Sequence, residues 1–135
     1  MRGISLLLIG VGLSSCAMAP EPMTRSAAKQ REYDQLLAGK VPGPPMSCLP
    51  SYRSNDMVVV DENTIAFRDG SARTYVNHMR GPCSGLGGTT ALVTRQYGSS
   101  ELCRGDIAQV VDTLNHFTVG SCVFGDFIPY TRPGR

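Results

Sequence analysis

Five cysteines, at positions 16, 48, 83, 103 and 122, constrain this chain of 135 residues more than any other feature. Four of them are spread over the C-terminal two thirds, and no two stand at the C-x-x-C spacing of a zinc knuckle or a thiol-redox pair. In an oxidising compartment the four pair as two disulfides, each worth about 2–4 kcal/mol to a domain of this size. Three connectivities satisfy the count, and spacing does not choose among them. The expectation carried forward is Cys83 with Cys103 and Cys48 with Cys122. No metal or cofactor is expected.

Cys16 stands apart. Met1-Arg2 is a short basic start, Ile4 to Leu13 is an apolar run, and Ser14-Ser15 are small residues directly before the cysteine, the layout of a bacterial secretory signal. The run is too short to remain as a membrane-spanning helix. Leu13-Ser14-Ser15-Cys16 resembles the lipobox of bacterial lipoproteins, which implies cleavage before Cys16 and acylation of its thiol and new amino group, palmitate being one such acyl chain. Small residues admit the peptidase, and only a thiol carries the thioether-linked diacylglycerol. Two or more acyl chains, at about 0.8 kcal/mol per buried methylene, anchor stably. Ala17 follows where an aspartate often signals inner-membrane retention, so the resemblance implies the periplasmic face of the outer membrane. The alternative is a plain signal cut after Ala19. Lipidation of Cys16 also leaves an even number of cysteines to pair.

Removal of residues 1–15 leaves 120 residues with 12 basic and 11 acidic side chains, enough for one modest core. A near-neutral chain without tryptophan or a basic run excludes a nucleic-acid role. Ala17 to Thr24, with Pro20 and Pro22, reads as a tether. Ser26 can cap a helix over Ala27–Ala38 that ends at Gly39, with Tyr33, Leu36 and Leu37 as its apolar stripe. Such a helix either docks on the domain or serves as a spacer. Val41-Pro42-Gly43-Pro44-Pro45 cannot be helical and marks a boundary. The expected divisions are therefore a signal at 1–15, an anchored tether with helix at 16–45, and a disulfide-stapled β domain at 46–135.

Beyond Met46 the pattern becomes short β-like runs. Met57–Val60, Thr64–Arg68 and Arg73–Asn77, joined by Asp61-Glu62-Asn63 and Asp69-Gly70, predict an antiparallel meander. Further strands are expected at Thr89–Gln96, Ile107–Asp112 and Phe117–Phe124, with a last aromatic segment at Gly125–Tyr130. The fold class that follows is mainly β: a small antiparallel sheet, sandwich or partly closed barrel with one short N-terminal helix and two disulfides.

Motifs of chemistry are sparse. Gly85-x-Gly87-Gly88 lacks the correctly spaced third glycine, the following helix and the lysine of a phosphate cradle. Pro82 replaces the first glycine that a nucleophile elbow would need around Ser84. His78 and His116 are the only histidines, and no local signature joins either to Ser84 and an acid such as Asp106 or Asp112. Asp106 is expected to turn its own loop at Gly105. Arg53, Arg73, Arg80, Arg95 and Arg104 are candidates for one basic face toward an anionic envelope ligand.

The body's residues Cys48-Leu49, Asp61 before Thr64–Phe67, Tyr75-Val76-Asn77, Cys83–Leu86, Leu102–Asp106 and Cys122-x-Phe124-Gly125-x-Phe127-x-Pro129 resemble a family of small Gram-negative envelope lipoproteins. The resemblance implies location and fold integrity and assigns no catalytic residue. The leading expectation is thus a non-enzymatic structural or binding accessory of the envelope, with the membrane, envelope proteins or glycans as partners. The alternative is a periplasmic enzyme or enzyme inhibitor that works through the Pro82–Gly88 loop.

Overall fold

The computed structural model describes residues 25–134. In chain order its elements are α1 (Ala27–Leu37), β1 (Val41–Pro42), β2 (Cys48–Pro50), a 3₁₀ turn (Ser51–Arg53), β3 (Met57–Asp61), β4 (Thr64–Asp69), β5 (Arg73–His78), β6 (Thr90–Thr94), β7 (Glu101–Cys103), β8 (Ile107–Asp112), β9 (Thr118–Val123) and β10 (Phe127–Thr131). Among the described residues the fold is mainly β, with three antiparallel sheets, one α-helix and two disulfides, and no closed barrel.

The helix starts where a side chain can satisfy its first amides: Ser26 Oγ accepts the Lys29 N–H at 3.2 Å. It ends before Gly39, whose φ of +70° is the left-handed conformation that glycine enters without a Cβ penalty. Leu36, with Tyr33 beside it, packs against Val58, Val60 and Ala66. Burying a leucine this way stabilises by about 2 kcal/mol, so the helix is docked on the sheet. The proline-rich segment after it is also part of the body. Val41 and Pro42 pair with Thr131 and Tyr130, and the Gly43 N–H donates to the Pro129 carbonyl at 2.7 Å.

β3, β4 and β5 form the meander that the turn residues predict. At its first turn the Asn63 N–H donates to Asp61 Oδ1 at 2.8 Å. β10 returns to pair with β5 and β1 closes the edge, giving the five-stranded order β1-β10-β5-β4-β3. One face carries Ile65, Phe67, Tyr75 and Phe127. The other carries Val58, Val60, Ala66 and Val76 toward the helix. Both faces are covered, so the middles of β4 and β5 are continuously buried where simple alternation would leave every second residue wet.

The cover on the first face is a three-stranded sheet, β6-β8-β9, and a two-stranded ribbon, β2-β7. Ala108 and Val110 of β8, Leu49 of β2 and Leu102 of β7 join Ile65, Phe67, Tyr75, Phe124 and Phe127 in one core. Phe127 lies 6.0 Å from both Phe67 and Phe124 between ring centroids, within the range of favourable aromatic pairs. The result is three layers: helix, large sheet, and small sheet with ribbon.

The disulfides are Cys48–Cys103 and Cys83–Cys122, which corrects the expected pairing of Cys83 with Cys103 and Cys48 with Cys122. The physical reason is strand register. Cys48 and Cys103 are directly opposite one another in the β2–β7 ribbon. Cys83 is carried to β9 by the Arg80–Val123 bridge and held there as its N–H donates to the Glu62 carbonyl at 2.7 Å. The two covalent loops therefore interlock, first cysteine to third and second to fourth. Among the described residues no buried side-chain nitrogen or oxygen lacks a hydrogen-bond partner.

Two close backbone approaches require glycine. A Cβ on Gly120 would lie 2.5 Å from the Ser84 carbonyl oxygen, and one on Gly125 would collide with the His78 carbonyl. The second approach is locked by the fully buried Asn77, whose Nδ2 donates to the Gly125 carbonyl at 2.9 Å while its Oδ1 accepts the Gly125 N–H at 3.0 Å. An amide used on both sides in this way rigidifies the junction between β5 and β10.

Candidate functional site

Cys16, the candidate lipidation residue, lies outside the described residues, as does the tether from Ala17 to Thr24. The first described residue, Arg25, is fixed to the body. Its Nε and Nη2 donate to Asp61 Oδ2 at 2.9 and 2.7 Å, and its guanidinium lies 4.4 Å from the Tyr33 ring centroid. Burial opposes ionisation of Asp61. Hydrogen bonds from Arg25, the Asn63 amide and Thr64, with the Arg25 charge, outweigh that penalty and hold its carboxyl below the ordinary aspartate value. Arg25 is thus held in the helix layer, beside the β3–β4 turn.

The Pro82–Gly88 loop does not project freely. Cys83 is buried in its disulfide, Leu86 packs against the core, and the Ser84 backbone lies flat on Gly120 of β9. Thr90 ties the remainder down: its hydroxyl engages the Gly85 and Gly87 carbonyls at 2.9 and 2.8 Å and accepts the Gly87 N–H at 2.9 Å. The Ser84 side chain is exposed.

The residues weighed for nucleophilic chemistry are not joined. His78 ends β5, exposed, beside a shallow hollow that it lines with Arg80 and Asp126. His116 sits in the β8–β9 turn with φ +58°. Among the described residues no hydrogen bond links Ser84, His78 or His116 to one another. Asp106 turns its own loop, as the Gly105-Asp106 pair predicts: Oδ2 accepts the Cys103 N–H at 2.7 Å. Asp112 likewise accepts the Leu114 and Asn115 amides at 2.9 and 2.8 Å.

The five arginines do not gather into one face. Arg53 and Arg73 meet, both donating to the hydroxyl of the buried Tyr75, at 2.7 and 3.3 Å. They also share Asp69, at 3.7 and 3.5 Å. Arg104 instead pairs with Asp126 at 3.0 Å, Arg80 lies by His78, and Arg95 lines a separate groove. Glu101 stands near Cys48 and Cys103 with metal-ligand spacing. The disulfide has converted both thiolates that a soft metal would need.

The groove at Arg95 is a feature that the sequence reading did not single out. It has a volume of about 360 Å³ and is lined by Val93, Tyr97 and Ile107 with Arg95, Asp106 and Gln109 at its polar rim. Val93 is 43%, Ile107 63% and Tyr97 84% exposed, far wetter than the neighbouring Ala108 and Val110, which are fully buried. A signal for it exists in β8, where Ile107 and Val111 are apolar on the face opposite Ala108 and Val110. An isolated exposed apolar residue is ordinary, but a group on one sheet face is not. Among the described residues no helix is long and apolar enough to cross a membrane.

Comparison of this chain with protein-family models, with curated proteins and with solved structures finds no match in any of the three.

Proposed function

We propose that the chain is an envelope lipoprotein, anchored through Cys16 to the periplasmic face of the outer membrane, whose disulfide-stapled body is a non-enzymatic structural or binding accessory. The observation that carries this reading is the cysteine pairing. Four of the five cysteines are joined to one another, so Cys16 has no cysteine of its own chain to pair with, and it stands where the lipobox resemblance requires an acylated thiol. Disulfides within a body of this size suit an oxidising compartment. The engagement of Asp106 and Asp112 in their own turns supports the accessory reading over the enzymatic one.

The test is replacement of Cys16 by serine in cells fed a labelled palmitate. Wild-type protein is expected to carry label and to fractionate with outer-membrane vesicles, and the Cys16→Ser protein to lose both properties. An unlabelled wild type, or a Cys16→Ser protein that remains in the same membrane fraction, refutes the anchor.

A further inference from the structure

At the far end of the helix from Arg25, a cleft of about 380 Å³ opens between the C-terminal turn of α1 and the β4–β5 hairpin. Three cations line it from three separate parts of the chain: Lys40 after the helix, Arg68 on β4 and Arg132 after β10. Ser71 and Thr74 add hydroxyls. One acid, Glu32, also faces the cleft, and it is paired with Lys29 at 2.8 Å. Arg68 pairs with Asp56 at 3.2 Å across the exposed rim.

Lys40 is held in position rather than waving in solvent. Its Nζ donates to the Leu36 carbonyl at 2.5 Å and to Thr74 Oγ1 at 3.2 Å, and Thr74 itself is fully buried. Neither Lys40 nor Arg132 takes part in an ion pair among the described residues. Burial, and then the positive charge of Arg132, push the Lys40 ammonium below the ordinary lysine pKa. Two like charges lining one polar cleft repel, and an anion between them offsets that repulsion.

We propose that this cleft binds a phosphate group, held between Lys40, Arg68 and Arg132 with the hydroxyl of Ser71 as a further donor. Cations that arrive from three elements surround a tetrahedral oxyanion better than a planar carboxylate, which a single arginine fork would match. The phosphate has two sources, a phospholipid headgroup or free phosphate. The cleft lies in the helix layer, about 16 Å along α1 from the residue where the tether joins. The headgroup source rests on the anchored reading. The site itself does not.

The full chain in nonionic micelles is titrated with inorganic phosphate at constant ionic strength, with sodium chloride as the control for screening, and followed by backbone amide NMR at Lys40, Gly70, Ser71 and Ala72. Saturable shifts confined to these amides are expected, with affinity reduced at least tenfold in Arg132→Gln and in Lys40→Gln. Lys40 also caps the helix, so Arg132→Gln, whose side chain makes no hydrogen bond among the described residues, is the variant that leaves the fold untouched. Micelles doped with phosphatidylglycerol then separate the sources. If the lipid moves the same amides and competes with phosphate, the ligand is a headgroup; if only inorganic phosphate does so, it is the free ion. Absence of a saturable shift with either probe, or equal affinity in Arg132→Gln, overturns the proposal.

Discussion

Removing the disulfides one at a time separates two ways in which they stabilise this body. Cys48–Cys103 closes a loop of 55 residues and Cys83–Cys122 one of 39. Chain entropy alone assigns about 4 kcal/mol to each, with a slight advantage to the longer loop. A domain of this size has about 5–15 kcal/mol of stability in total, so either loss is a large fraction of it. Packing reverses the order. Cys83 and Cys122 are 0% and 5% exposed and belong to the core, whereas Cys48 and Cys103 are half-buried on the ribbon. Replacing the buried pair by alanine removes core atoms as well as the link, adding about 1 kcal/mol or more. Urea unfolding is therefore expected to show Cys83→Ala/Cys122→Ala as the less stable double variant, despite its shorter loop. The same exposure difference predicts that Cys48–Cys103 is the first bridge opened by a limiting soluble reductant. Connectivity is read directly from a non-reducing tryptic digest, because Arg53, Arg80, Arg95 and Arg104 place each body cysteine on its own peptide. The peptide ending at Arg53 should be linked to the peptide ending at Arg104. A link from the first peptide to the one containing Cys122, or a Cys48→Ala/Cys103→Ala variant that proves the less stable, refutes the reasoning.

Two further outcomes follow from single contacts. Gly125→Ala drives a Cβ into the His78 carbonyl and disturbs the paired hydrogen bonds from Asn77, so a loss of about 2–4 kcal/mol is expected; an unchanged urea midpoint would count against the close approach. Asp61→Asn should cost about 1–2 kcal/mol at neutral pH by weakening the Arg25 clamp. Because the folded carboxyl titrates below its unfolded value of about 3.9, its contribution is fully present above that pH and is lost as pH falls through the lower folded value. Unfolding curves of wild type and Asp61→Asn should therefore converge on acidification below about pH 4, and a gap that persists at lower pH would contradict the linkage.

Local chemistry made much of this fold legible before any contact was seen. Ser26 and Gly39 bound the helix because capping is decided within a turn of chain. Asp61-Glu62-Asn63 and Asp69-Gly70 place the β3–β4–β5 meander because antiparallel neighbours joined by tight turns pair in sequence order. Asp106 bends its own loop for the same reason of short range. The groove at Val93 and Ile107 was half visible, since β8 is apolar on both faces, but its depth depends on Tyr97 and Asp106 arriving from flanking loops.

The class of the fold, the helix and its ends, the meander, and the even number of cysteines left once Cys16 is set aside are all written in local residue order. Long-range packing chooses which cysteines meet, that β10 and β1 extend the meander, that the helix docks instead of spacing, and that Lys40, Arg68 and Arg132 share one cleft. These are choices of register and layer between segments tens of residues apart. They are settled by burying Phe67, Phe124, Phe127 and Val110 together, a collective requirement that no short stretch of chain encodes.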